Sequence, residues 1–414
     1  MVLNKVKHFV NLINLLSGLF LVCVLITDDY NIQVGAYYIF FSSYIVEFFL
    51  DKKWETIKFN RTTLYFLIIL FFFALAFLYY PFEESHKYFK LLMERRYPLL
   101  GFSVIGIFGV NKFYKLRYFI VSILIATISV IIYLLFFKVG ISNFFKDQNL
   151  FNLARAKYVN SHMIVNFYFN SALLGVWYLL SSYWNRLYFS YKSLLVICIF
   201  LLLYALSISE GRSGFIFGLV ITISLIFIEL WKKKRKYGIL FGILIPWVAV
   251  VLISSHQRME YKLIKTEPRY FLWDAGLSIF KEKPILGYGI STAQIQFDAA
   301  REIRQTPEYK ERWKLSKHLD SHNQYIQTSM EFGVVGLFVL LFIYLTPYFL
   351  VIKRRKKLTI FFTLLILSQS FFDMFATGFF SAILCFWLIF LLRTGNNIKE
   401  KIHDNKNIVL NKWK

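Results

Sequence analysis

The chain has 414 residues, of which 57% are hydrophobic and 20% aromatic, well above the roughly half-apolar composition of a soluble protein. This excludes water as its main solvent and predicts an integral membrane protein. The net charge of +24 does not predict nucleic-acid binding, because the Lys and Arg residues lie in short clusters between apolar runs, as in the loops of membrane proteins. The three cysteines lie inside apolar runs, so neither a disulfide framework nor a thiolate metal site is predicted.

Apolar runs of about 20 residues, the length that crosses a bilayer, predict an all-α polytopic fold of about twelve transmembrane helices. A β-barrel is excluded because its segments are short and alternate in polarity. The first run lacks a small-residue cleavage site, so we expect a retained helix and not a signal peptide. The predicted spans are Phe9–Ile26, Ile32–Leu50, Thr62–Tyr80, Tyr97–Val110, Tyr118–Phe137, His162–Tyr183, Ser193–Ile208, Ser213–Trp231, Tyr237–Ser255, Tyr325–Ile352, Leu358–Phe375 and Phe379–Leu392.

The basic loops predict the orientation. Clusters at 52–61, 112–117, 232–236 and 353–357 and the basic tail share one side of this segmentation, which places that side and both termini in the cytoplasm. The predicted organisation is nine transmembrane helices in 1–255, an extracytoplasmic helical loop domain in 256–321, three transmembrane helices in 322–392 and a basic cytoplasmic tail in 393–414.

The long loop before the tenth span has the pattern of a small helical domain. Thr266-Glu-Pro268 is typical of a helix start and Lys283-Pro284 of a helix end, and apolar residues recur at helical spacing between them. The glycines of Ile285-Leu-Gly-Tyr-Gly289 then predict a turn.

Two arginines on the predicted outer side are candidates to hold a phosphate. Arg212 begins a span, and an arginine at membrane depth costs about 2.5–3.5 kcal/mol unless it faces a polar cavity or an anion. Arg269 and Trp273 are four residues apart and share a helix face, which suits a ligand with both phosphate and sugar. Alternatively, Arg212 reaches the headgroups or pairs with Glu210. Arg269 could instead be a solvated charge in the first turn of its helix, and Trp273 could only pack the helix onto the bundle.

His322, immediately before the tenth span, is a candidate general base. An imidazole has an unperturbed pKa of about 6.5, so its neutral form can accept the proton of a sugar hydroxyl, and Asp320 or Asn323 can orient the ring. Alternatively, His322 is an ordinary interfacial residue, and His318 is an equally titratable neighbour. Since phosphate clamps combine several donors, further substrate-binding candidates on this side are Arg95, Arg96, Arg155, Arg258 and His162.

Other function classes have less support. The sequence contains no Gly-rich phosphate loop with Lys, no Cys-x-x-Cys and no His-Glu-x-x-His, so neither a nucleotide-driven pump nor a zinc peptidase is favoured. The clearest acidic residues within predicted spans are Glu47 and Asp373, fewer than ion-coupled transporters commonly place in their bundles.

Three stretches together resemble the bacterial O-antigen ligase and polymerase superfamily of multi-span glycan transferases. They are residues 209–214, 269–289 and 321–337, and their order and the long outer loop also match. The resemblance covers roughly residues 201–340, whereas the first half of the chain agrees only in span count and hydropathy.

The resemblance implies a GT-C-like inverting transferase that moves a glycan from undecaprenyl diphosphate to an acceptor sugar without a metal or any other cofactor. Arg212, Arg269 and His322 match the essential residues of the family's ligases, as two holders of the leaving diphosphate and a general base. From their positions beside Arg269 and His322, we also predict Trp273 and Asn323 as substrate-binding residues. We expect a location in the bacterial inner membrane with a periplasmic active site. The expected partners are the lipid-linked donor, lipid A-core or another glycan acceptor, and membrane lipid, but no nucleic acid.

Within this superfamily we predict an O-antigen ligase. An O-antigen polymerase and a protein O-glycosyltransferase remain alternatives, because the motifs do not separate them. An exporter of lipid-linked glycan is the alternative from another class, since it would use the same basic cleft without a base.

Overall fold

A computed structural model describes residues 2–27, 29–57, 59–79, 86–138, 162–209, 212–233, 236, 268–304, 320–374 and 381–394. Within these ranges the regular structure is entirely helical. The α-helices are α1 Val2–Val24, α2 Tyr30–Leu50, α3 Arg61–Ala74, α4 His86–Glu94, α5 Tyr97–Phe108, α6 Leu116–Tyr133, α7 His162–Tyr183, α8 Phe189–Ile208, α9 Arg212–Lys233, α10 Pro268–Glu282, α11 Ile290–Arg304, α12 Gln324–Leu345, α13 Pro347–Leu350, α14 Lys356–Gln369 and α15 Ser381–Leu392.

Seven helical segments in the described ranges are long and apolar enough to cross a membrane, and this confirms the predicted all-α membrane fold. They are Leu3–Val24, Tyr30–Leu50, Leu116–Phe137, Met163–Arg186, Phe189–Ile208, Ser213–Lys232 and Gln324–Leu350. Arg61–Phe77 and Ser381–Leu392 are shorter apolar helices. The count of twelve spans stays a prediction, and the predicted span Tyr237–Ser255 lies outside the described residues.

One predicted span ends earlier than expected, and another, which matches the membrane-spanning segment Gln324–Leu350, contains a break between two helices. The predicted span Leu358–Phe375 corresponds to α14, which ends at Gln369 and is followed by a turn, so Asp373 is not inside the helix. The predicted span Tyr325–Ile352 is divided at Thr346, because Pro347 lacks an N–H and begins the short helix α13. Hydropathy alone predicts neither the end of α14 nor the helix break, since the residues beyond Gln369 and Thr346 are also apolar.

The described part of the long loop, residues 268–304, forms two helices that pack on α12. α10 begins at Pro268, where the sequence predicts a helix start, and α11 follows the predicted turn. These helices and α12 share a small apolar core, separate from the main core of the bundle, formed by Leu272, Ala275, Ile279, Ala293, Phe297, Ile326 and Met330. The loop helices are therefore held to the N-terminal half of α12.

The turn at 284–289 is joined to a kink in α12 through the backbone. Gly333 has φ 63° and ψ −156° inside α12, a conformation that side-chain-bearing residues rarely adopt. Two N–H groups of the turn donate to carbonyls of α12, from Tyr288 to Met330 at 2.9 Å and from Gly289 to Glu331 at 2.8 Å. In the other direction, the Val334 N–H donates to the Pro284 carbonyl at 2.8 Å. A Cβ on Gly333 would overlap the Ile285 carbonyl. This contact fixes α10 and α11 relative to the start of α12.

Candidate active site

His322 precedes α12 in a strained backbone conformation. Its φ is 47°, in the left-handed region that a non-glycine residue occupies only where neighbouring interactions hold it there. Asn323 supplies such interactions, because its side-chain oxygen accepts from the N–H groups of Tyr325 at 3.0 Å and Ile326 at 3.1 Å and so caps α12. The Ser321 hydroxyl also donates to the Asn323 carbonyl at 2.9 Å. The amide oxygen of Asn323 thus has a structural role, and its role in substrate binding stays a prediction.

The imidazole of His322 is half-buried within a group of charged residues. Its Nδ1 is buried and has no hydrogen-bond partner in the described part of the chain, which is unusual for a buried polar atom. Asp373, in the turn after α14, interacts electrostatically with His322, Asp320 and Arg269. The dense protein around Asp373 raises the pKa of its carboxyl group, His322 and Arg269 oppose this rise, and Asp320 adds to it.

The turn after α14 is held against the start of α12 by two hydrogen bonds. The Gln324 N–H donates to the Ser370 carbonyl at 2.8 Å, and the Tyr325 hydroxyl donates to the Leu367 carbonyl at 2.7 Å. The residues after Ser370 therefore lie beside His322, although they are distant in sequence. Asp373 is a candidate site residue that the sequence alone assigned to the interior of a span.

Arg269 and Trp273 face this same turn from α10. The Arg269 guanidinium carbon lies 5.7 Å from the centre of the Phe372 ring, a cation–π distance. The Trp273 ring packs edge-on against Phe371 at 4.9 Å. Its indole Nε1 is buried and has no hydrogen-bond partner among the residues described, so Trp273 both packs α10 onto the bundle and presents an unpaired donor.

Arg212 begins α9, and the structure does not describe its side chain. Two buried asparagines of α7 hold this helix start. The Ser209 hydroxyl donates to the Asn166 side-chain oxygen at 2.5 Å, and the Asn170 amide donates to the Gly214 carbonyl at 3.0 Å. Sequence reasoning missed both asparagines, although their spacing of four residues within an apolar helix was an available signal.

Arg95 and Arg96 differ sharply in their surroundings. Arg96 is 2% exposed and donates to both carboxylate oxygens of Glu331 at 2.7 Å, while Gln327 donates to the same carboxylate at 2.9 Å. Arg95 is partly exposed and lies 3.4 Å from Asp320, which places it near His322. Arg96 is therefore part of a buried ion pair, whereas Arg95 remains a candidate for substrate contact.

The described part of the chain does not include the side chains of the remaining candidates. Arg155, Arg258, His318 and Glu210 lie outside the described residues, and His162 begins α7 without a described side chain. Within the described ranges, no group of three or more His, Cys, Asp and Glu residues is arranged to hold a metal ion.

Fold and site together define a polytopic helical membrane protein with a charged, half-buried site at one end of its bundle. Residues 197–341 match the model of the O-antigen ligase family, a range that contains all three motif stretches. This match, with the relatives below, confirms the resemblance to the O-antigen ligase superfamily that the sequence predicts.

Curated relatives agree with the family match. Two proteins named "Putative polysaccharide ligase", from Rickettsia conorii and Rickettsia felis, are each 28% identical over 150 residues, which is 34% of this chain and 35% and 36% of their own lengths. A protein of the same description from Rickettsia typhi is 27% identical over 143 residues, 33% of this chain and 34% of its own length. The alignments therefore span about a third of these relatives.

Proposed function

We propose that the protein is an O-antigen ligase, which transfers a glycan from undecaprenyl diphosphate to a sugar of lipid A-core. The conformation and surroundings of His322 support this proposal most strongly. This residue combines a strained backbone with an unpartnered Nδ1, lies with Arg269 and Asp373 in one charged cluster, and falls within the O-antigen ligase match. Strain and orphaned polar atoms of this kind concentrate at functional sites.

The arginines would hold the leaving group. Diphosphate gains negative charge as its bond to the anomeric carbon breaks, and a guanidinium donates two parallel hydrogen bonds to phosphate oxygens. Arg269 is in the charged cluster beside His322, and Arg212 begins a helix whose start is fixed by Asn166 and Asn170. Donors fixed before the reaction stabilise the developing charge without a reorganisation cost.

His322 would activate the acceptor. Its neutral imidazole accepts the proton of the acceptor hydroxyl while that oxygen bonds to the anomeric carbon and the carbon–diphosphate bond breaks, which inverts the configuration. The negative charge of an ionised Asp373, which interacts electrostatically with His322, would stabilise the imidazolium that forms. No cofactor takes part in these steps.

The cellular placement is part of the proposal. We place the protein in the bacterial inner membrane, with both termini in the cytoplasm and the site on the periplasmic face. The basic segment 353–357 follows the membrane-spanning segment that begins just after His322, and basic loops favour the cytoplasmic side.

The direct test is transfer by the purified full-length protein from extracted lipid-linked glycan to lipid A-core, scored as joined product. Arg212→Lys and Arg269→Ala should each reduce the rate by about 10²-fold or more, because an ammonium lacks the guanidinium fork and alanine lacks any donor. Arg354→Lys, in an exposed arginine of the basic segment, is the matched control. Near-normal rates in both site variants at equal protein would exclude the diphosphate clamp, and an inactive parent protein would contradict the function itself.

A further inference from the structure

A cavity of about 390 Å³ lies between the start of α2 and the α4–α5 junction. Its lining includes four tyrosines and one carboxylate, Tyr30, Tyr37, Tyr38, Tyr97 and Glu94. The volume is within the range of small-molecule sites. None of these residues belongs to the charged cluster around His322, so the cavity is a separate feature of the molecule.

The lining combines apolar ring faces with a single charge. Tyr38 is 71% exposed and Tyr97 is 53% exposed, and tyrosine offers both an apolar ring and a hydroxyl. Glu94 forms no ion pair with any other residue that the structure describes. A carboxylate facing lipid tails would be costly, whereas a sugar offers C–H faces to the rings and hydroxyl donors to the carboxylate. The lining therefore fits a glycan better than a lipid chain.

The cavity and His322 are connected through consecutive residues. Arg95 follows Glu94 directly and lies 3.4 Å from Asp320, two residues before His322. The next residue, Arg96, is locked to Glu331 of α12. The α4–α5 junction is thus fixed against the start of α12, and the cavity lies at the same end of the bundle as the imidazole.

We propose that this cavity binds the sugar chain of the acceptor substrate, an inference that rests on the proposed function. The diphosphate of the donor is assigned to arginines of α9 and α10. The cavity is on α2, α4 and α5 instead, and its connection through Arg95 and Asp320 leads to the group that deprotonates the acceptor. A glycan held there would present its hydroxyl to His322.

Steady-state transfer by the full chain in lipid nanodiscs tests this, with lipid A-core as acceptor and extracted lipid-linked glycan as donor. Glu94→Ala and Tyr97→Ala should each raise the acceptor KM about tenfold, the effect of one lost hydrogen bond to a charged group or of a comparable ring contact. The kcat and the donor KM should change less than about twofold, because only ground-state binding of the acceptor is lost. Tyr188→Ala is the control, since Tyr188 is a 77% exposed tyrosine before α8 that does not line this cavity.

Each other outcome has a definite meaning. An active parent with unchanged acceptor KM in both variants would overturn the acceptor site and leave the proposed function standing. A raised donor KM with an unchanged acceptor KM would show that the cavity binds the donor, which would overturn the acceptor site. Loss of a bound phospholipid from Tyr97→Ala in native mass spectrometry, with unchanged acceptor KM, would identify a lipid groove. A parent without transfer would overturn the proposed function and the acceptor site with it.

Discussion

Two titratable residues, Glu331 in the N-terminal half of α12 and His322 just before it, differ in whether their polar atoms have hydrogen-bond partners. The carboxylate of Glu331 is fully buried and accepts hydrogen bonds from Arg96 and Gln327. His322 is half-buried, and its Nδ1 has no partner within the described ranges. Buried polar atoms are normally hydrogen-bonded, so the fully bonded Glu331 carboxylate has a structural role, whereas the unpartnered Nδ1 marks His322 as a candidate functional residue. Burial of a titratable group therefore does not by itself identify a functional residue.

Removal of the buried Arg96–Glu331 ion pair should have the largest effect on stability. Glu331→Ala leaves the Arg96 guanidinium buried without its partner, and we expect a loss of about 3–5 kcal/mol in the free energy of unfolding. Thermal unfolding of the purified protein and its solubilised yield measure this loss. Asp320→Ala removes the partner of the partly exposed Arg95 and should cost about 1 kcal/mol or less. Equal unfolding temperatures for the two variants would contradict the assignment.

A smaller loss of stability is expected from a substitution at Gly333, where the kink of α12 meets the turn at 284–289. Gly333→Ala places a side chain at φ 63° and against the Ile285 carbonyl, and the backbone strain alone costs about 1–3 kcal/mol. The variant should unfold at a lower temperature and transfer more slowly, since the turn would shift α10 and Arg269. Gly35→Ala is the control, because a Cβ there meets nothing within 4 Å. Parent-like stability and transfer in Gly333→Ala would show that the kink is dispensable.

The smallest expected loss of stability comes from substitutions of Asn323, and they separate its role as helix cap from its predicted role in substrate binding. Loss of the helix cap in Asn323→Ala should cost about 1 kcal/mol, and unfolding measurements would detect it. Asn323→Asp keeps an accepting oxygen, so it should retain the cap, the stability and most of the transfer rate. A stable Asn323→Asp protein with strongly reduced transfer would instead show that the amide N–H contacts substrate.

Local signals predicted much of the fold. The start of α10 at Pro268, its end before Pro284, the following turn and the common face of Arg269 and Trp273 all depend on residues a few positions apart. Periodicity and helix punctuation report such features directly. The motif at 321–337 also predicted His322 as a site residue.

The rest depends on contacts between residues distant in sequence. Asp373 was assigned to a span because apolar residues continue past Gln369, yet the chain turns there and meets the start of α12. The Arg96–Glu331 pair and the contact between Gly333 and the turn at 284–289 likewise join separate parts of the chain. Hydropathy carries no information about such pairing, so Arg96 could not be told apart from Arg95.

The rate of glycan transfer by purified His322→Ala protein tests whether His322 acts as the general base. We expect a loss of about 10²- to 10⁴-fold, with His318→Ala near the parent rate and with donor binding and thermal unfolding unchanged. Transfer by His322→Ala at the parent rate would contradict the mechanism.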